Sequence, residues 1–304
     1  MLKGKVAIIT GSGRGIGKEI ALMMAEQGAA VIVNDLGADI GGEGKETKLA
    51  DQVVDEIKAK GGKAASNYGS VASFDDANEM VRQAVDEFGR LDIVVNNAGI
   101  LRDRIFHRMT EEEWDAVIAV HLKGTFNTTR AAVQTFRDQG GGSVINFTST
   151  SGLLGNYGQT NYGAAKLGIV GFSRNAALDM EKFGVRVNCV APFAWTRLTQ
   201  SIPGGDDPDN KRLENLKKMD PKQIAPLCCY LGSDDAGERK ITGQVFCVRG
   251  NEIILFSLPR PVRSLHKNGG WSPQDVADIM PEAFAGDFSP LTTSGGVLSY
   301  EPLF

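Results

Sequence analysis

Val6-Ala7-Ile8-Ile9 runs straight into Thr10-Gly11-Ser12-Gly13-Arg14-Gly15-Ile16-Gly17, after which Ile16, Ile20 and Met24 recur four residues apart. A short apolar run, a glycine-rich turn and a helical period in immediate succession read as strand, tight turn and helix. Glycines in such a turn let the backbone approach a pyrophosphate closely, and the helix N-terminus offers free N–H groups and the positive end of its dipole. Val31-Ile32-Val33 reads as a second strand, and Asp35 follows it 18 residues after Gly17. A carboxylate placed there accepts hydrogen bonds from ribose hydroxyls. The turn therefore predicts a dinucleotide site formed by Gly11, Ser12, Arg14, Gly15, Ile16, Gly17 and Asp35. Asp35 repels the extra 2′-phosphate of NADP and so favours NAD. Arg14 could pair with that phosphate, but weighs less than the carboxylate.

The same alternation continues outward from this turn. Seven strands are expected at 6–9, 31–33, 64–68, 91–95, 143–147, 185–190 and 244–248, mostly as continuous apolar runs, the pattern of strands covered on both faces. Between them lie helical stripes such as Leu49, Val53 and Ile57, or Ala77, Met80, Val81, Ala84, Val85 and Phe88. Gly28, Gly61 and Gly89 stand where left-handed helix stops are wanted. Thr110-Glu111-Glu112-Glu113 has the spacing of a capping box, opening a helix that carries Trp114, Val117, Ile118 and His121. The expected fold is α/β, a three-layer doubly wound Rossmann arrangement with a seven-stranded parallel sheet. The nucleotide-binding domain spans 1–250. The charged, turn-rich stretch from about 200 to 220 reads as a flap. Residues 251–304, punctuated by prolines and glycines without sustained periodicity, read as a C-terminal extension that packs against the domain or covers its pocket.

Composition narrows the function classes. The chain has 304 residues, 42% of them hydrophobic and 23% charged, which suits a large globular domain and excludes wholesale disorder. Net charge is −4, from 33 Lys plus Arg against 37 Asp plus Glu, so there is no general positive field for nucleic acid. No apolar run approaches the ~18 residues of a membrane span, and the N-terminus lacks a signal-peptide core, so a cytoplasmic protein is expected. Cys189, Cys228, Cys229 and Cys247 lack CxxC spacing, and His107, His121 and His266 form no ligand cluster, so neither a disulfide framework nor a metal is expected.

Chemistry is concentrated around residue 160. Tyr162 and Lys166 stand four apart and share a helix face. An ammonium near a phenol favours the phenolate, giving an acid–base group usable near neutral pH. Ser149, 13 residues earlier at the end of the fifth strand, could hydrogen-bond a carbonyl or alcohol oxygen, with Ser151 as a nearby competitor.

The glycine turn, Asn96-Asn97-Ala98-Gly99 after the fourth strand, and Ser149, Tyr162 and Lys166 together resemble the short-chain dehydrogenase/reductase superfamily over residues 1 to about 250. More specific strings (Asn34 to Gly37, Asn67 to Val71, Asn96 to Arg104, Gly158 to Lys166) resemble the (3R)-hydroxyacyl-CoA dehydrogenase domain of peroxisomal multifunctional enzyme type 2 and its bacterial relatives. The resemblance implies Tyr162 as general acid/base, with Lys166 lowering its pKa and holding the nicotinamide ribose and Ser149 orienting the substrate oxygen. It also implies Asn97, Ala98 and Gly99 along the cofactor, Ser70 and Val71 near the adenine, and Pro192 and Thr196 beside the nicotinamide. The family's usual fourth catalytic residue, an Asn, is replaced by His121, which either joins a proton relay or perturbs it. Two further departures are Pro192-Phe193, where Pro-Gly is usual, and Arg249, where an acidic residue commonly precedes a Gly pair.

The implied reaction is NAD-dependent interconversion of a 3-hydroxyacyl-CoA and its 3-oxoacyl-CoA by a homodimer or homotetramer. Arg197, Lys211, Arg212, Lys217 and Lys218 are candidate contacts for CoA phosphates. Rival readings are a dehydrogenase of steroids or other secondary alcohols, using Phe193, Trp195 and Leu198 as an apolar wall, an NADPH-dependent 3-oxoacyl carrier-protein reductase, and a catalytically silent nucleotide-binding scaffold.

Overall fold

In a computed structural model, which describes residues 1–39, 41–44, 48–196 and 211–304, the seven expected strands form one parallel sheet. They are β1 (Val6–Thr10), β2 (Ala30–Asn34), β3 (Lys63–Asn67), β4 (Ile93–Asn96), β5 (Gly142–Phe147), β6 (Val185–Phe193) and β7 (Val245–Arg249). An eighth strand, β8 (Glu252–Phe256), extends the sheet beyond the seven expected. It pairs antiparallel with β7 and ends the order β3-β2-β1-β4-β5-β6-β7-β8. Residues 251–304 are therefore joined to the sheet through β8. The strand order reverses between β1 and β4, and at such a switch point an open α/β sheet leaves a crevice at its carboxyl edge.

Strand geometry divides the core in two. Side chains alternate across a strand, so Ala7 and Ile9 of β1 join the cluster on one face, with Ile20, Met24, Val53 and Ile57, while Val6 and Ile8 join the other, with Met80, Ala84 and Phe136. The first face is covered by α1 (Gly15–Glu26) and α2 (Lys48–Ala59), the second by α3 (Phe74–Phe88) and the later helix α5 (Gly124–Gln139). Each fully buried Ile or Phe contributes about 1.5–3 kcal/mol of transfer free energy, which explains why continuous apolar runs became central strands.

Gly28, Gly61 and Gly89 have φ of +98°, +81° and +81°, the left-handed stops expected of them. The capping box is present. Glu113 N–H donates to Thr110 Oγ1 at 3.2 Å and Thr110 N–H to Glu113 Oε2 at 3.0 Å, opening α4 (Glu111–Ile118). A wide π-turn over Ala119–Lys123 then joins α4 to α5. Within the extension, Pro273 begins a helix, Pro273–Phe284, capped by Ser272 and Asp275. A proline at the first helical position lacks only an N–H that would be unpaired there anyway.

Candidate active site

The carboxyl edge of β1, β2 and β4 borders a cleft of about 300 Å³ lined by Gly11, Arg14, Gly15, Ile16, Asp35, Ser70, Val71, Asn97, Ala98, Gly99 and Thr196, among others. The glycines are there because nothing larger fits. A Cβ on Gly17 would lie 2.3 Å from Gly11 O, and one on Gly11 would lie 2.8 Å from Ala98 Cα, with Gly11 already at φ +63°. Gly13 carries Asp35, its N–H donating to Asp35 Oδ2 at 2.8 Å while Gly37 N–H donates to Oδ1 at 2.7 Å. The carboxylate is thus oriented by the two turns that flank it. Arg14 donates from Nη2 to Ala38 O and lines the same cleft. These residues fit a dinucleotide: bare backbone at a helix start, an oriented carboxylate beyond β2, and a cleft joining them.

Three of the expected cofactor residues play a supporting part. Ser12 spends both donors within the protein, its N–H on Asn34 O at 2.9 Å and its hydroxyl on Ile9 O at 2.7 Å, and it is fully buried. Gly17 packs beneath the turn. Asn97 braces it, donating from Nδ2 to Thr10 O and Gly11 O, both at 3.0 Å.

At the neighbouring end of β5, Ser149 caps α6 (Thr150–Leu153), and α7 (Thr160–Met180) brings Tyr162 and Lys166 to the same place. Lys166 is buried. Its Nζ donates to Phe147 O at 2.7 Å and sits 5.4 Å from the centre of the Tyr162 ring. The sequence reading expects Lys166 to pull the phenol pKa down, but in the protein alone burial dominates both groups. It pushes Tyr162 up to about 12 against the opposing hydrogen bond from Ser149, and draws Lys166 down to about 7.

His121 lies in the π-turn and is buried, its ring edge-on to Tyr162 with centroids 5.2 Å apart. Nε2 lies 2.8 Å from Ile100 O and 3.1 Å from Ile100 N, while Nδ1 is buried without a hydrogen-bond partner. Burial, reinforced by Lys166, holds the imidazole well below its usual pKa, so it is neutral. The ring also explains Gly99, where a Cβ would fall 2.3 Å from His121 Cε1.

Two residues that the sequence reading did not single out lie beside Ser151. Asp103 Oδ2 accepts from Gln159 Nε2 at 2.8 Å, and Gln159 Oε1 accepts from Ser151 Oγ at 2.8 Å. Burial raises the Asp103 carboxyl pKa, partly offset by that hydrogen bond. Asp103 stands in the string after Asn97 that carried the family resemblance, but nothing in its spacing ties it to Gln159. Of the flap cations, Arg197 lies outside the described residues, as does Leu198 of the apolar wall, and the side chains of Lys211 and Arg212 are likewise undescribed. Lys218 Nζ lies 5.6 Å from the Phe304 ring centre. Among the described residues there is no metal-binding cluster and no helix long and apolar enough to cross a membrane, and all four cysteines are free and buried.

A strand–turn–helix nucleotide cleft beside a half-buried Tyr162 and a buried Lys166 defines a nucleotide-dependent oxidoreductase, and comparison with known proteins agrees. The short chain dehydrogenase family model matches residues 5–203, and the chain belongs to that family, whose members bind NAD(P) and act on CH–OH groups. It is 46% identical to peroxisomal multifunctional enzyme type 2 of Mus musculus over 90% of this chain, spanning 36% of that protein's length. It is 40% identical to the hydroxyacyl-CoA dehydrogenase ChsB1 of Mycobacterium tuberculosis, over 94% of this chain and 90% of that protein. A 3-oxoacyl-[acyl-carrier-protein] reductase of Synechocystis is 38% identical over 84% of this chain and 99% of the reductase. The crystal structure of a short chain dehydrogenase from Mycobacterium avium superposes with a TM-score of 0.82 at 38% identity, covering 96% of this chain and 98% of that one.

Proposed function

We propose that this oxidoreductase interconverts a 3-hydroxyacyl-CoA and its 3-oxoacyl-CoA with NAD. The observation that carries the chemistry is the convergence of Ser149, Tyr162 and Lys166 beside the nucleotide cleft. The bound nicotinamide would supply the hydride acceptor or donor. Tyr162 Oη would take the proton of the substrate hydroxyl during oxidation and return it during reduction. Ser149 Oγ would hold the same substrate oxygen, and Lys166 would fix the phenol's surroundings and the ribose. Neutral His121 would act by supporting Ile100 and the Tyr162 ring edge. The NAD assignment rests on Asp35, whose carboxylate is oriented by Gly13 and Gly37 at the cleft, where it would face the ribose hydroxyls, while one Arg14 Nη2 donor is used on Ala38 O. Gly15, Ile16, Ser70, Val71, Pro192 and Thr196 belong to the same proposed cofactor contacts, the extension to the same enzyme unit, and a cytoplasmic homo-oligomer to the same reading.

The deciding experiment is the initial rate with acetoacetyl-CoA, NADH and NADPH being compared at equal concentration. Fast oxidation of NADH alone supports the proposal. Turnover with NADPH and a carrier-protein thioester favours the reductase reading, which the Synechocystis relative motivates. No thioester turnover by protein that binds NADH removes the substrate assignment. Replacing Asp35 with Ala should lower the NADH-over-NADPH preference by at least about tenfold, because the carboxylate that excludes a 2′-phosphate is gone. An unchanged ratio of kcat/KM values would show that Asp35 does not select the cofactor.

The raised phenol pKa also sets a pH dependence. Oxidation needs the ionised phenol, so its kcat/KM should climb with pH from 7 upward, by up to about tenfold per unit, whereas reduction, which uses the protonated phenol, should not climb. A profile for oxidation that is flat across this range would exclude Tyr162 as the base.

A further inference from the structure

We infer that a second cavity, bordered by the end of β6, the helix Lys211–Lys217 and residues 294–302 of the C-terminal extension, takes the acyl chain of the substrate, with Leu298 and Leu216 among its contacts. The inference rests on the 3-hydroxyacyl-CoA reading and adds to it the part of the substrate that this chain selects.

The cavity measures about 300 Å³ and shares no lining residue with the nucleotide cleft. Its walls are largely apolar, built from Phe193, Leu216, Met219, Leu298 and Pro302. Phe193 closes β6, and Thr196, three residues further on, lines the nucleotide cleft, so one short segment borders both spaces. On another wall, Ser294 N–H donates to Gly155 O at 2.9 Å and the Ser294 hydroxyl to Asn156 Oδ1 at 2.8 Å. Asn156 in turn donates to Ser151 Oγ at 2.9 Å, and Ser151 N–H donates to Ser149 Oγ at 3.1 Å. The cavity is therefore bounded by the segment that reaches the cofactor cleft and tied to the loop that carries Ser149. A substrate whose oxygen is held by Ser149 and Tyr162 would have its acyl chain beside this space. An acyl chain needs apolar walls, because each methylene removed from water adds to binding.

The extension wall is fixed from below. Arg249 ends β7 and is only 6% exposed. It donates from Nη2 to Tyr300 O, and its guanidinium lies 4.6 Å from the centre of the Tyr300 ring. Asn251 N–H donates to Leu303 O at 2.9 Å, so the chain is held on both sides of Pro302. A guanidinium offers a fork of donors and a flat face that stacks on an aromatic ring, and an acidic residue at this position could form neither hold. A cavity discriminates between chains only as far as its walls stay in place, and Arg249 is thus a positioning residue for the wall.

The test compares chain lengths. NADH oxidation is measured with acetoacetyl-CoA and 3-oxooctanoyl-CoA for wild type, Leu298→Trp, Leu216→Trp and Arg249→Ala, with NADH affinity and thermal midpoint recorded for each. In wild type, kcat/KM should rise with chain length, by up to about fourfold per methylene buried. Leu298→Trp sets an indole into the cavity from the extension. It should lower the ratio of kcat/KM for the longer over the shorter substrate by about tenfold or more, the equivalent of roughly two methylenes, with the change carried by KM. Leu216→Trp intrudes from a different element and should do the same, so the result does not depend on how the extension bears a substitution. Arg249→Ala releases Tyr300 and should lower the ratio by about threefold or more while NADH affinity stays within twofold. If Arg249 served stability alone, the thermal midpoint would fall and the ratio would stay. A wild-type kcat/KM that does not rise with chain length, or a Trp variant at either position that keeps the ratio within twofold, would overturn the assignment of this cavity. If protein that binds NADH turns over neither thioester, the hydroxyacyl-CoA reading itself falls and this inference with it.

Discussion

Replacing Tyr162 with phenylalanine should reduce kcat by about a thousandfold or more, while NADH binds within about threefold of wild type. The expectation follows from what the substitution removes. Phenylalanine keeps the ring that packs edge-on to His121 and under Lys166 Nζ, so the geometry of the pocket survives. Only the hydroxyl is lost, and proton transfer by a positioned side chain contributes about 10²–10⁴-fold. A loss confined to kcat, measured by steady-state kinetics beside a fluorescence titration of NADH, marks an interaction made during the reaction. If the variant keeps a rate near wild type, the proton is carried by another group, and the neutral, half-partnered His121 becomes the next to examine.

A second large effect is expected at Gly17. Its replacement by alanine should weaken NADH binding by about a hundredfold or more, roughly 2.7 kcal/mol at about 1.4 kcal/mol per tenfold, even though Gly17 does not line the cleft. The added methyl would stand 2.3 Å from Gly11 O and 2.6 Å from Asn97 Nδ2, both parts of the bracing that holds the turn. Neither neighbour can move freely, because Gly11 is followed by fully buried Ser12 and the Asn97 amide is bonded to Thr10 and Gly11. The turn must open, and the N–H groups at the start of α1 lose their aim. Calorimetric titration with NADH would measure the loss, and binding within threefold of wild type would show that the turn tolerates what its packing forbids.

The contrast between these positions shows what could be read from the chain. Local physics wrote the seven parallel strands, the glycine stops and the Thr110 capping box directly into short windows, and these lie where the windows placed them. The fourfold spacing of Tyr162 and Lys166 likewise survives folding because both lie on one helix. β8 escaped although Ile253-Ile254-Leu255-Phe256 is an apolar run, because it opens a stretch soon broken by Pro259 and Pro261 and, as an antiparallel edge strand, alternates in exposure. Pro273 was misleading for the opposite reason, a residue known for ending helices that here begins one. The π-turn carries no periodic signature at all, and its consequence, the pairing of His121 with Gly99, joins residues 22 positions apart. Asp103 and Gln159 are further separated still, and only the approach of α7 to the segment after β4 makes them partners. Burial also reversed an argument from spacing alone. Nearness to Lys166 was expected to acidify the phenol, but desolvation of both groups outweighs it in the protein by itself.

The antiparallel strand β8 bears on how the chain is made. During synthesis the residues of the nucleotide cleft, 11 to 196, leave the ribosome well before Glu252. Until then β7, or β6 before it, stands as an open edge of unpaired N–H and C=O groups, the feature by which nascent chains recruit one another. A hairpin through Gly250 closes that edge with a local contact, which needs no long loop to be searched and so follows quickly once the segment emerges. Because only Gly250 and Asn251 separate the two strands, β8 follows β7 out of the ribosome almost at once, and the edge that β7 presents is covered within a few residues of its own synthesis.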